Sequence, residues 1–403
     1  MNAPILDGVR PRILSRRESL IDFRRDLHRH PERGFEERRT SARVRGRLEG
    51  AGLELRAGIA RTGLRALVRG SGPRTILFRA DMDALPIQEE SEKPYASTVP
   101  GVMHACGHDG HTSILTETAL LSQEARAGLE GSLAFVFQPA EEGPGGARPM
   151  IEEGVLEDPA PEAAFGLHLW TGIPVGKIAV TSGPFMAAAD EFRITIQGRG
   201  GHGALPHEAI DAVVVGSYLV TALQTLVSRE ADPMKTAVVT VGSFHGGSNF
   251  NIIAETAEMK GTLRTFDPAL RERLVVRLRE VCEGLARSLK AECEFVFEPH
   301  YPPTINDPAM AEFVAEVAAG LVGPQNVVRD LVVMGAEDMS YFLERLPGCY
   351  FFIGGANPEK GMSHPHHNPR FDFDEDALLL GCEMFLRIQE SYFERFPQPP
   401  RRP

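Results

Sequence analysis

Thirteen histidines are spread over the chain, and eight of them fall in three short segments, Leu27–Pro31, Met103–His111 and Ser363–His367. The densest is Met103-His104-Ala105-Cys106-Gly107-His108-Asp109-Gly110-His111. Cys106 and His108 set a soft thiolate and an imidazole two residues apart, a pair suited to Zn²⁺ or another borderline divalent metal. The two glycines allow a tight turn that converges both groups. Asp109 is placed to cap the following helix or to orient an imidazole. The competing reading is a His-rich loop around a buried structural cysteine.

A second segment, Gln138-Pro139-Ala140-Glu141-Glu142-Gly143, carries adjacent carboxylates. In extended chain they point in different directions, so one is able to ligate a metal while its neighbour faces a water as general base. A solvated acidic pair is the alternative. His168 in Phe165-Gly166-Leu167-His168-Leu169-Trp170 is a ligand or a core histidine. The loop Ser363-His364-Pro365-His366-His367-Asn368-Pro369 is a ligand loop or a solvated one, and Asp81 and Asp83 are two carboxylates at i, i+2 on a strand end or a loop-capping pair.

Elements must bring these residues together. Spaced apolar residues from Ile13 to Leu48, broken near His30-Pro31, suggest two amphipathic helices. Short apolar runs at Ala66–Val68, Thr75–Arg79, Leu133–Phe137, Ala164–Leu169 and Tyr350–Ile353 read as buried strands, and Thr112–Leu121 and Ala147–Glu153 as helices between them. Alternating buried strands and helices predict an α/β domain with a largely parallel sheet. In the middle, Phe192–Gln197, Ala209–Val227, Thr236–Val241, Thr256–Thr262, Pro268–Leu289 and Glu294–Phe297 run β-α-β-β-α-β, a split ferredoxin-like unit. The expected division is a catalytic domain of residues 1–186 and 299–403 with residues 187–298 inserted as a small domain. Four strand ends or post-strand loops then deliver Cys, His, Glu, His and His to one edge of one sheet. That is more than a single tetrahedral structural zinc needs, and it points to a two-metal hydrolytic site acting on an amide or a phosphoester.

Composition agrees with a catalyst of small molecules. The 403 residues carry 43 Lys+Arg against 55 Asp+Glu, a net charge of −12, without a basic block for nucleic acid or an anionic membrane. Five scattered cysteines make no disulfide framework. The opening residues show no signal-peptide apolar core, and no apolar run approaches the ~18 residues of a membrane span. The expectation is a soluble cytoplasmic enzyme.

The ordered segments DLHRHPERGFEE, FRADMDALPIQEE, MHACGHDGHT, FQPAEEGPGGA, GLHLW, GRGGHGALPH, FNIIAETAEMKGTLRTF, MGAEDMSYF and HHNPRFDFDEDAL cover nearly the whole chain. They resemble the amidohydrolase branch of the aminoacylase/carboxypeptidase-type dinuclear metallopeptidases, which includes hippurate hydrolases, N-acyl-amino-acid amidohydrolases and auxin-conjugate hydrolases. The resemblance implies two divalent ions per subunit (Zn, Mn, Co or Ni) held by Cys106, His108, Glu142, His168 and His367. It makes Glu141 the general base and Asp83 the acid behind the metals. It implies that the insert is a lid and dimerisation module of a homodimer or homotetramer. Within that module His202 stabilises the oxyanion in the partner's site, and Asn251 and Arg264 hold the substrate carboxylate. Gly355 supplies a backbone contact near the scissile carbonyl, and Glu337 is a structural acid. His104, His111 and His207 are supporting residues. The implied reaction is hydrolysis of an N-acyl amino acid to a carboxylic acid and a free amino acid. The rivals are a dipeptidase or carboxypeptidase of the same fold, a dinuclear phosphoesterase and a catalytically silent metal-binding protein.

Overall fold

A computed structural model describes residues 5–400. The chain packs as two units: Met1–Gly183 with Ile305–Val332 and Asp338–Pro403, and Pro184–Thr304 with Val333–Glu337.

The first unit is built on an eight-stranded mixed sheet. Its strand order is Glu54–Ile59, Gly63–Val68, Ser132–Gln138, Thr75–Asp81, Ala164–Pro174, Gly348–Ala356, Ile178–Ala179 and Val327–Val328. Gly63–Val68, Thr75–Asp81 and Ser132–Gln138 are buried along their whole length, which is why they read as continuous apolar runs. The four central strands are mutually parallel. The sheet is less parallel than the sequence suggests, because Glu54–Ile59 and Gly63–Val68 form an antiparallel hairpin at one edge. Helices Arg17–Arg29, His108–Glu124, Pro308–Val322 and Asp376–Arg395 pack on one another and on the sheet. Asp307 starts the Pro308 helix by accepting the amides of Ala309 and Met310.

The parallel register gathers the chemically active strand ends on one edge. Asp81 is level with Gln138, Arg79 with Gly166 and Phe352 with His168. The chain therefore leaves Asp81, Gln138 and Gly355 on the edge where His168 stands, the position at which open α/β sheets place their sites.

The second unit is a four-stranded antiparallel sheet in the order Ala237–Gly246, Thr256–Thr265, Ala189–Gln197 and Glu292–Tyr301, with helices Ala212–Thr225 and Pro268–Ser288. That is the β-α-β-β-α-β arrangement with its ferredoxin-like strand order. One expectation changes here. Ala212–Glu230 is long and apolar enough to cross a membrane by length and composition. In the fold it is instead a layer on the small sheet, burying Ala212, Val215, Leu219, Leu223 and Leu226.

Candidate metal centre

The helix carrying the first motif begins at His108 rather than near Thr112, because Gly107 adopts φ +90°, a left-handed conformation that favours glycine, just before it. Cys106 therefore lies just outside the helix and His108 on its first residue. His168 comes from the strand Ala164–Pro174, and the ring's Nδ1–H donates to the carbonyl of its neighbour Leu169 at 2.8 Å. That leaves Nε2 turned to Cys106 Sγ, 3.4 Å away. Burial and the adjacent His111 and His366 push the His168 pKa well down, so the ring stays neutral.

Asp83 organises the other side. Its Oδ1 and Oδ2 accept the backbone N–H groups of Glu141 and Glu142, each at 2.9 Å. Glu142 then lies 3.7 Å from His108 Nε2 and 3.3 Å from His367 Nε2, and Glu141 stands 4.0 Å from His108 Nε2. The backbone N–H of His367 donates to the Ala105 carbonyl at 2.8 Å, tying the C-terminal His loop to the cysteine loop. His366 is the anchor of that loop. It stacks on Trp170 at 4.3 Å and donates to the Leu169 carbonyl.

Donor atoms of Cys106, His108 and His168 all lie within 4.8 Å of one another, and so do those of Cys106, Glu142 and His367. A third group of the same size joins His108, Glu141 and Glu142. Cys106 belongs to the first two groups, so its sulfur is within reach of both sets of donors. The donors fit such cations: His108 Nε2 and Glu142 Oε1 are buried without a hydrogen-bond partner, and a mixed S/N/O set suits borderline divalent ions. Burial, then Glu142 and Glu141, push the Cys106 thiol well above its usual range. Burial opposes the charge on His108, but Asp81, Asp83 and Glu142 outweigh it and push its pKa up to about 10.

Several residues that the sequence marks without fixing their partners support the donors, joined by Arg79 and Asp338, which it does not single out. Asp81 accepts from His111 Nδ1 at 2.6 Å, and His111 Nε2 in turn accepts the Leu169 N–H at 2.8 Å, next to His168. Buried Arg79 joins Asp81, Gln138 and Asp338, each at 2.8 Å. Asp338 is thus the buried acid of the MGAEDMSYF segment in this unit, whereas Glu337 is buried in the second unit. Asp109 caps no helix. It pairs with Arg24 at 2.7 Å and orients His28 at 2.8 Å, an imidazole outside the donor cluster. His104 is buried with both ring nitrogens lacking a hydrogen bond, and Gly355 gives its carbonyl to the Asp374 N–H.

His202, Asn251, Arg264 and His207 belong to the second unit. His202 is exposed on a two-residue strand paired with Ile252, and the Asn251 carbonyl accepts the Gly203 N–H at 2.8 Å, so these two residues share one patch. Arg264 is half-buried on the strand Thr256–Thr265 opposite Val238, its pKa lowered by burial against the pull of Asp190. His207 is exposed beside Glu208.

A mixed α/β sheet whose strand ends converge on buried Cys, His and Glu donors, with a second carboxylate alongside, defines a metal-dependent hydrolase. The chain belongs to the peptidase family M20/M25/M40, whose family model matches residues 77–391. It is similar to the N-acetylcysteine deacetylase of Bacillus subtilis, 40% identical over 92% of this chain and 95% of that protein. Thermostable carboxypeptidase 1 of Saccharolobus solfataricus is 38% identical over 90% of this chain and 92% of that protein. Among solved structures, the YXEP protein of Bacillus subtilis, described as a dinuclear metal-binding M20 peptidase, superposes with a TM-score of 0.83. It is 36% identical, with 95% of this chain and 100% of that chain covered. The protein is a metal-dependent hydrolase acting on amides.

Proposed function

We propose that this hydrolase cleaves the amide bond of N-acyl amino acids, releasing a carboxylic acid and a free amino acid. The observation that carries the proposal is Cys106, whose thiol is within reach of both the His108/His168 pair and the Glu142/His367 pair. Those five residues would hold two divalent cations (Zn, Mn, Co or Ni), which when bound supply Lewis acidity toward a water and the amide carbonyl. Glu141 takes a proton from the attacking water and returns it to the leaving amide nitrogen. Asp83 fixes the direction of that carboxylate through the Glu141 amide.

Residues 187–298 act in this reading as a lid and dimerisation domain. His202 of one subunit donates a hydrogen bond to the oxyanion in the other. Asn251 and Arg264 receive the substrate carboxylate, for which the planar Arg fork is suited, and Gly355 offers a backbone contact to the scissile group. Exposed Val214 and Tyr218 on the helix Ala212–Thr225, beside an edge strand with exposed Val238, support a homodimer, with a homotetramer as the larger assembly. This reading places the protein in the cytoplasm, and the acidic net charge supports an enzyme that acts away from nucleic acid and anionic membranes.

A second reading, a carboxypeptidase or dipeptidase, rests on the similarity to the Saccharolobus enzyme. Both readings are tested with one panel: N-acetyl, N-benzoyl and longer N-acyl amino acids, and dipeptides, with protein reconstituted in Zn²⁺, Mn²⁺, Co²⁺ or Ni²⁺. The proposal expects release of free amino acid from the acylated compounds. Turnover confined to dipeptides would transfer the assignment to the second reading. Glu141→Gln is expected to lower kcat by about 10³-fold or more with metal content intact, and near-full activity in that variant would remove Glu141 from its role.

A further inference from the structure

Ala140, the residue before the proposed general base, has φ +56°, a left-handed conformation that a residue with a Cβ rarely adopts. Three consecutive amides leave this bend, and each ends on a buried carboxylate. The N–H groups of Glu141 and Glu142 go to Asp83, and the Ala140 N–H goes to Glu37 Oε1 at 2.8 Å. Glu37 is fully buried, and its second oxygen accepts the Thr62 hydroxyl at 2.6 Å. It stands at the N-terminus of the helix Arg38–Gly50, yet its side chain makes no capping bond there and reaches to Ala140 instead. Gly34, three residues earlier, lies so close that a Cβ on it would come 2.9 Å from the Ala140 Cβ and 3.0 Å from its Cα. The segment from Gly34 to Glu37 therefore presses on Ala140 from one side and bonds it from another.

We propose that Glu37, assisted by the close approach of Gly34, is a positioning residue for the general base: it holds the Ala140 peptide in its left-handed turn and so aims the Glu141 carboxylate. The inference rests on the proposed role of Glu141. Asp83 fixes the two amides after the bend, while the bend itself is held by the Ala140 N–H bond to Glu37 on one side and by the Gly145 N–H, which donates to the Ala140 carbonyl at 3.0 Å, on the other. Without an acceptor at residue 37, a buried N–H is orphaned and the peptide has reason to turn away.

The test compares Glu37→Leu, which has similar bulk and no acceptor, with Glu37→Gln, which keeps an oxygen for Ala140 and a hydrogen-bonding partner for Thr62. Readouts are kcat and KM on an N-acyl amino acid, bound metal per chain, and a crystal structure of each variant. Glu37→Leu is expected to lose about 100-fold in kcat, as misaimed catalytic groups do, with KM and metal content changed by less than about three-fold. Glu37→Gln should restore kcat to within about three-fold of wild type. The crystal structure of Glu37→Leu should show Ala140 leaving positive φ, a readout that needs no substrate and so separates failure of this proposal from failure of the functional reading. Unchanged kcat in Glu37→Leu, equal losses in both variants, a loss that follows metal content, or an unmoved Ala140 would each overturn it. Should Glu37→Leu fail to fold, Gly34→Ala drives a methyl into Ala140 with Glu37 intact. It should lower kcat by about ten-fold at unchanged metal content, and wild-type kcat there would equally overturn the proposal.

Discussion

Asp83 Oδ1 stands 3.2 Å from His108 Nδ1. When the ring is neutral, as ligation requires, a proton on Nδ1 directed at this carboxylate leaves the Nε2 lone pair facing Glu142, where Nε2 has no hydrogen-bond partner. Asp83 thus selects the His108 tautomer while its oxygens pin the Glu141 and Glu142 amides.

Replacing that carboxylate by an amide disturbs these effects together, because Asn keeps one acceptor oxygen for three N–H groups and presents a donor where the other oxygen stood. Asp83→Asn is expected to weaken metal affinity by about 10- to 100-fold, measured as metal retained against a competing chelator. Wild-type retention would show that the tautomer is set by another group.

Metal uptake should be pH-dependent. In the metal-free protein the pKa of His108 is raised to about 10 and the Cys106 thiol is pushed well above its usual range. Both hold their protons at neutral pH, and both must lose them to ligate. His367, its pKa also raised by Glu142, adds to this, so loading Zn²⁺ is expected to release at least about two protons per chain and to tighten as pH rises from about 6 to about 8. Calorimetry in two buffers of different ionisation enthalpy counts those protons. A titration that released none would contradict the assignment of these two residues as ligands.

Arg24 is buried and pairs with Asp109 at 2.7 Å, Asp372 at 2.8 Å and Glu375 at 3.4 Å. Burial alone would raise the Asp372 pKa, but Arg24 and then Lys93 hold it down at about 2. Arg24→Met leaves these carboxylates without their shared cation and should cost about 3–5 kcal/mol in urea unfolding. A loss below about 1 kcal/mol would mean that the pocket relaxes or takes up protons cheaply.

His104 gives an acid limit to stability. Burial pushes its pKa down to about 4, against the pull of Asp109 and with His28 and His108 adding to the effect. The unfolded chain takes up a proton near pH 6.5 that the folded chain refuses until about pH 4, so stability is lost as pH falls through this window, by about 1.4 kcal/mol per pH unit. Wild type should therefore lose more stability than His104→Leu between about pH 7 and about pH 5. Parallel pH profiles of the two proteins would exclude His104 as the source.

Much of the fold was legible because it arises from local patterns. Continuous apolar runs marked the central strands, and the change from period 2 to period 3.6 in the middle of the chain marked the ferredoxin-like order. The edge hairpin from Glu54 was not legible: Glu54, Arg56 and Ala57 are exposed, so that strand carries no apolar run. The start of the His108 helix was missed because it depends on the left-handed Gly107, a backbone choice that residue type permits without requiring.

Cys106, His108, Glu141, Glu142, His168 and the His364–His367 loop stood out in the sequence as candidate donors because few residue types supply the atoms a metal needs, while the choice of His367 within its loop and of roles for the two glutamates came from the family resemblance. Tertiary structure alone decided how they are held: Asp83 beneath two amides, Asp81 and His111 behind Leu169, Asp109 given to Arg24 rather than to a helix cap, and Glu37 bonded to Ala140. Carboxylates, unlike thiols, serve equally as caps, ion pairs, ligands or bases. Which of these a given Asp or Glu becomes is settled by the groups that folding brings within about 3 Å of it, from parts of the chain too distant for local sequence to announce.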